Sequence, residues 1–186
     1  MADISDVLNA MVAGAAGAIY PSGTSNPSIT GAPVVVYAGW PIPGQLDKDI
    51  DPALTVNTSH VTFWARPEVK NVIHNRSSAR GDAVAGNVRK ETRRQERTIQ
   101  VSVWCADPAA RDVLGKAVDA YFAINQRMPT ASGEVFYVRY KSEAQVDEHQ
   151  KTNIYRRDLI LSAEYPSSHD LVATAVTTAT ATVTQQ

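Results

Sequence analysis

Apolar residues recur at every second position from Thr98 to Cys105 and then at steps of three and four from Val113 to Tyr121. The stretch Arg93–Phe122 therefore predicts a strand followed at once by a helix. Ile99, Val101, Val103 and Cys105 form the expected inner face of the strand, with Thr98, Gln100, Ser102 and Trp104 on the other. Asp107 is placed to cap the free N–H groups of the helix, and Pro108 suits its first position, where a missing N–H costs nothing. Val113, Leu114, Ala117, Val118 and Tyr121 make the apolar stripe, and Asp112 and Lys116 an i,i+4 pair on another face.

The same patterning, weaker elsewhere, organises the rest of the chain. Ile4, Val7, Leu8, Met11, Val12 and Ala15 predict an amphipathic helix capped by Asp3, loosened near its end by Gly14 and Gly17 and stopped by Pro21. The connector 20–33, rich in Pro, Gly, Ser and Asn, predicts irregular backbone lying over a neighbouring surface or carrying part of an interface. A short strand at Val34–Tyr37 ends at GWPIPG, where Trp40 either covers the edge of the core or anchors another protein chain. Leu54–Val56 and His60–Ala65 predict extended structure, and Pro67 is expected to block further central pairing. After a turn at Met128–Gly133, alternation over 135–140 predicts a strand whose inner face is ambiguous. Lys141–Asn153 reads as an exposed link to a second strand, IYRRDLILSAEY, which Pro166 ends, so the pair forms an antiparallel hairpin.

Composition bounds the function. A chain of 186 residues, 44% of them hydrophobic, supports one sizeable core, and a net charge of −1 gives the whole molecule no reason to seek polyanions. Charge is instead local. Residues 66–97 hold nine basic residues against four acidic, a net of +5, and predict a basic arm or long hairpin with SSARGDAVAG at its tip. Its candidate contact residues are Arg76, Arg80, Arg89, Lys90, Arg93, Arg94 and Arg97. They fit a solvated loop, an acidic neighbouring subunit or a passing nucleic acid backbone, but no interleaved aromatics or recognition helix indicate sequence-specific binding.

No apolar run approaches the roughly 18 residues of a membrane span. Asp3 and Asp6 stand where a signal peptide needs positive charge, so the chain reads as soluble and intracellular, with no membrane partner. The single cysteine, Cys105, reads as buried packing. His60, His74, His149 and His169 are scattered, and HExxH, CxxC, GK[ST] and GxSxG spacings are missing, so no metal, cofactor or catalytic residue is expected. The tail 167–186 carries an uncharged Thr-, Ala- and Val-rich run and predicts an extended segment meeting a neighbouring subunit.

The expected architecture is α+β: a single domain, 1–166, with a mainly antiparallel sheet packed against the N-terminal and central helices, and with extended arms. In DISDVLNAMVAGAAG, TIQVSVWCADPAARDVLGKAVDAYF and RRDLILSAEY, and in the order of these elements, the chain resembles the tail terminator and neck (tail-completion) proteins of long-tailed bacteriophages. The resemblance implies a non-enzymatic virion protein forming a homo-oligomeric, hexameric ring at the head-proximal end of the tail. Its implied partners are the tail tube, sheath proteins, the head connector and, non-specifically, DNA in the lumen. An adjacent neck or head–tail adaptor ring and a DNA-binding accessory protein are the alternatives.

Overall fold

The computed structural model describes residues 3–51, 53–72, 79–81, 87–146 and 154–172, with backbone alone at 79–81, 87–92, 146 and 168–172. Helix α1 spans Ile4–Ile19. Asp3 accepts from the N–H groups of Ser5 (2.7 Å) and Asp6 (3.0 Å), while Asp6 accepts from the Asp3 N–H at 3.2 Å, a reciprocal cap that satisfies donors the helix cannot. Val7, Met11, Ala15 and Ile19 are fully buried along one stripe. Connector 20–33 folds back on its own domain: the Tyr20 hydroxyl bonds both the N–H and the carbonyl of Val34 at 2.8 Å, and the buried Ser28 hydroxyl donates to the Ala32 carbonyl at 2.6 Å.

Strands β1 (Val34–Ala38), β2 (Ser59–Val72), β3 (Ala79–Gly81), β4 (Asn87–Cys105), β5 (Arg127–Pro129), β6 (Val135–Val146) and β7 (Tyr155–Val172) form one sheet among the described residues. Its order is β1-β2-β4-β7-β6-β5, with β3 paired to β4. β1 runs parallel to β2 and every other pairing is antiparallel, so the sheet is mixed and the single α+β domain has the expected class. Helix α3 (Pro108–Ile124) lies with α1 on one sheet face over a core of Phe63, Val101, Leu114, Val118, Phe136 and Leu161.

Several expectations change at this level. The α3 stripe is rotated: Arg111, Leu114, Gly115, Val118 and Phe122 are buried and Val113 is exposed. The reason is Gly115, where a side chain would meet the Arg157 guanidinium stem at 2.6 Å, so α3 can settle over that arginine. Gly14 does not fray α1 but seats Tyr121 against it, since a Cβ there would lie 2.5 Å from the tyrosine ring. Leu54–Val56 lies in turns and bends rather than a strand, and Lys141–Val146 belongs to β6. Helix α2 (Pro43–Asp49) and strand β5 were not expected.

The prolines are also tolerated where they were expected to stop pairing. β2 passes Pro67 because the register jumps between Ala65 and Val69, and the missing N–H falls inside that bulge. β7 passes Pro166, paired opposite Arg94, and continues to Val172. The expected start of the tail at 167 thus falls within β7, and residues 173–186 lie outside the described residues.

The helix crossing can be tested directly. Gly14→Leu introduces a good helix former that cannot fit beside Tyr121, and a loss of about 1–3 kcal/mol is expected in urea denaturation. Gly17 has nothing within 4 Å of an added Cβ, so Gly17→Ala is expected to gain about 0.5–1 kcal/mol. Equal effects at the two glycines would rule out the close approach.

Candidate assembly surface

β2, β4 and β7 run on beyond the helices as a ribbon, with β4 paired to β2 as far as Val72↔Arg94 and to β7 as far as Asn87↔Val172. Arg89 and Lys90 sit in β4 and Arg80 in β3, whereas Arg76 lies outside the described residues. Alternation sorts the remaining side chains. Arg97 continues the helix-side row of Ile99 and Val101, and Arg93 joins it through Gln95, whose amide accepts from Arg93 Nε at 2.9 Å and donates to the Tyr165 hydroxyl at 2.9 Å. Arg94 and Glu96 point to the open face.

The open face is where the acids are. Arg94 pairs with Glu164 at 3.3 Å and lies over the Tyr137 ring, Arg139 reaches the same Glu164 at 3.4 Å, and Lys141 pairs with Glu96 at 2.9 Å. The lysine holds the Glu96 carboxyl below its usual range. The described ribbon, 66–72, 79–81, 87–97 and 164–172, carries eight basic and five acidic residues, so pairing with β7 lowers the excess of +5 counted over 66–97 to +3. Among the described side chains of β4, the helix-side row holds Arg93 and Arg97 alternating with Gln95, with no carboxylate between them.

At the other end of the open face, Trp40 packs edge-on against Trp64 (6.0 Å) and Trp104 (5.8 Å). It both covers a small second core of Leu46, Ile50, Trp104 and Ile154 and stays 45% exposed, beside Trp64 at 38% and Ile42 at 73%. A cleft of about 320 Å³ opens there, lined by Trp40, Pro43, Leu46, Asp47, Trp104 and Arg156. The Arg156 guanidinium lies 4.9 Å from the Trp40 ring and 4.6 Å from the Trp104 ring. It donates twice to Asp158, at 2.8 and 2.7 Å.

Asp158 also accepts from the Ser102 hydroxyl at 2.6 Å, Gln100 donates to that hydroxyl at 3.2 Å, and Arg66 reaches Gln100 at 3.3 Å. Gln100, Ser102 and Trp104, expected on an outward row, are therefore buried, because α2, Trp40 and these long polar side chains roof a face that no long helix covers. The sequence held a signal that could have revealed the network: Arg156 and Asp158 share one face of a strand two residues apart, beside a serine on the strand opposite.

The titratable groups of this face are bonded to one another. His60 is held between Asp49 (Nε2–Oδ2, 2.8 Å) and the Tyr37 hydroxyl (3.3 Å), with Asp49 also accepting from Gln45. Burial pushes the Cys105 thiol up to about 11, so it is held as the non-nucleophilic thiol at neutral pH. Among the described residues no cluster of three His, Cys, Asp or Glu side chains is arranged to hold a metal ion, and no helix is long and apolar enough to cross a membrane.

No protein-family model and no curated protein sequence matches the chain. Among solved structures it is similar to the sheath/tube terminator, in the extended state, of the extracellular contractile injection system PVC. The TM-score is 0.54 at 19% identity over 100% of this chain, which spans 65% of that protein's length. A chain of the virion of a native gene transfer agent aligns over 84% of this chain and 98% of its own, at 18% identity, with a TM-score of 0.34, too low to imply a common fold. At such identity the first likeness is one of fold alone.

Proposed function

We propose that this protein is a non-enzymatic structural component of a phage-type tail, terminating the tail tube at its head-proximal end as a homo-hexameric ring that meets the head connector. The observation that carries the reading is the whole-chain likeness of fold to a sheath/tube terminator. This is a fold-level analogy, joined by the independent resemblance of three sequence segments to tail terminators. A ring built from one chain needs two different complementary patches on each copy. The protruding basic ribbon and the exposed tryptophan face have that unlike character. In this reading the protein resides in the virion, the basic ribbon faces a neighbouring protein or DNA in the lumen, Trp40 anchors a contact, and the chain beyond Val172 reaches another copy.

Native mass spectrometry of the protein, alone and with tail components, together with electron microscopy of particles made without it, tests the proposal. A closed oligomer that joins tails, and tails of uncontrolled length in its absence, are the expected results. A strict monomer that never enters particles would reject it. An adaptor of the neck would give headless tails of normal length.

A further inference from the structure

Two surfaces of the molecule are complementary in chemistry. The helix-side row of the ribbon offers Val69, 40% exposed, directly opposite Arg97, with Arg93 further along the same row of β4. The tryptophan face offers Trp40 and Trp64, with exposed Ile42 two residues beyond Trp40 in the chain, Asp47 lining the cleft and exposed Asp51 just past the end of α2. An apolar centre with an acid beside it suits an apolar residue with an arginine across from it.

One chain cannot bring the two together. Trp64 and Val69 lie on the same strand, five positions apart across a bulge, and on opposite faces: Val69 pairs with Arg97 on the helix side, whereas Trp64 pairs with Gln100 on the open side. The β2–β4–β7 ladder holds them apart. Two distinct patches fixed on one rigid sheet are the arrangement that yields head-to-tail contacts, and such contacts close into rings when the rotation permits.

We infer that neighbouring copies of this chain join by laying the helix-side row of one ribbon, Val69, Arg93 and Arg97, across the Trp40–Ile42–Trp64 face of the next, with the arginines against Asp47 and Asp51. This contact rests on the ring reading above and names the surfaces that would make it. It also gives the open cleft beside Trp40 an occupant, the Val69 side chain of the neighbour.

Three surface changes test it by analytical ultracentrifugation and native mass spectrometry of the full chain. Ile42→Asp puts a charge two residues from Trp40, yet it also supplies the side-chain cap that α2 lacks, so folding is not expected to suffer. It is expected to weaken association at least tenfold. Arg93→Glu alone and Asp47→Arg with Asp51→Arg are each expected to weaken association about fivefold, and combining them to recover most of the loss. Rings that form equally in wild type and all variants would keep the ring reading and reject this contact. Wild-type protein that stays monomeric even with tail components would overturn both. Loss of duplex DNA binding in Arg93→Glu, with rings intact, would overturn the contact in favour of nucleic acid.

Discussion

Asp158→Ala is expected to destabilise the fold by about 3–5 kcal/mol, a large share of the roughly 5–15 kcal/mol typical of a whole domain. The carboxylate is 9% exposed and accepts three hydrogen bonds, two from Arg156 and one from Ser102. Removing it leaves the guanidinium, itself only 15% exposed, between two tryptophan rings with no counter-charge. The cost is that of an uncompensated buried charge and not the worth of the pair. Replacing both partners, Arg156→Met with Asp158→Leu, is therefore expected to recover most of the loss, since apolar groups of similar volume do not require the missing partner. Urea denaturation of the two variants measures this. A loss below about 1 kcal/mol for Asp158→Ala would mean that water reaches the site and that the network is not the roof of this sheet face.

Trp104→Ala is the second large effect, with about 3–5 kcal/mol lost. Trp104 is 5% exposed, packs against Trp40, stacks on Arg156, donates from its indole N–H to Thr62 at 3.4 Å, and forms the floor under Leu46, Ile50 and Ile154. Its removal empties the second core and loosens α2, which the Asp49–His60 contact also anchors. Trp64→Ala, at a position 38% exposed, is expected to cost less than about 1.5 kcal/mol. Thermal unfolding of the two variants, followed by circular dichroism so that neither depends on indole fluorescence, makes the comparison. Equal losses at both positions would show that the cleft is not supported from Trp104.

The difference between these tryptophans was not legible in the sequence. Both occupy the polar row of an alternating strand, and alternation distinguishes two faces without saying what covers them. The main core was legible because periodicity and burial share one cause: Val7, Met11 and Ala15, like Ile99, Val101 and Val103, repeat with the geometry of the element that buries them. Arg111 escaped detection for the opposite reason, since its burial depends on α3 settling over Gly115 and Arg157, a contact between residues distant in the chain. The basic arm was visible as a run of charge. Its pairing with Glu164, which sets how much of that charge is left for a partner, was not.

Local chemistry by itself determined the α+β class, the two capped helices and the apolar rows of β2, β4 and β7, because caps and periods act over a few residues. Only the tertiary structure decided that β4 is buried on both faces from Ile99 to Cys105, that β2 and β7 run past Pro67 and Pro166 into one ribbon, and that Trp40, Trp104, Arg156 and Asp158 meet. Each of these depends on which strand lies beside which, and strand pairing joins residues as far apart in the chain as Asn87 and Val172. Burial and charge compensation follow from that pairing, which no local pattern encodes.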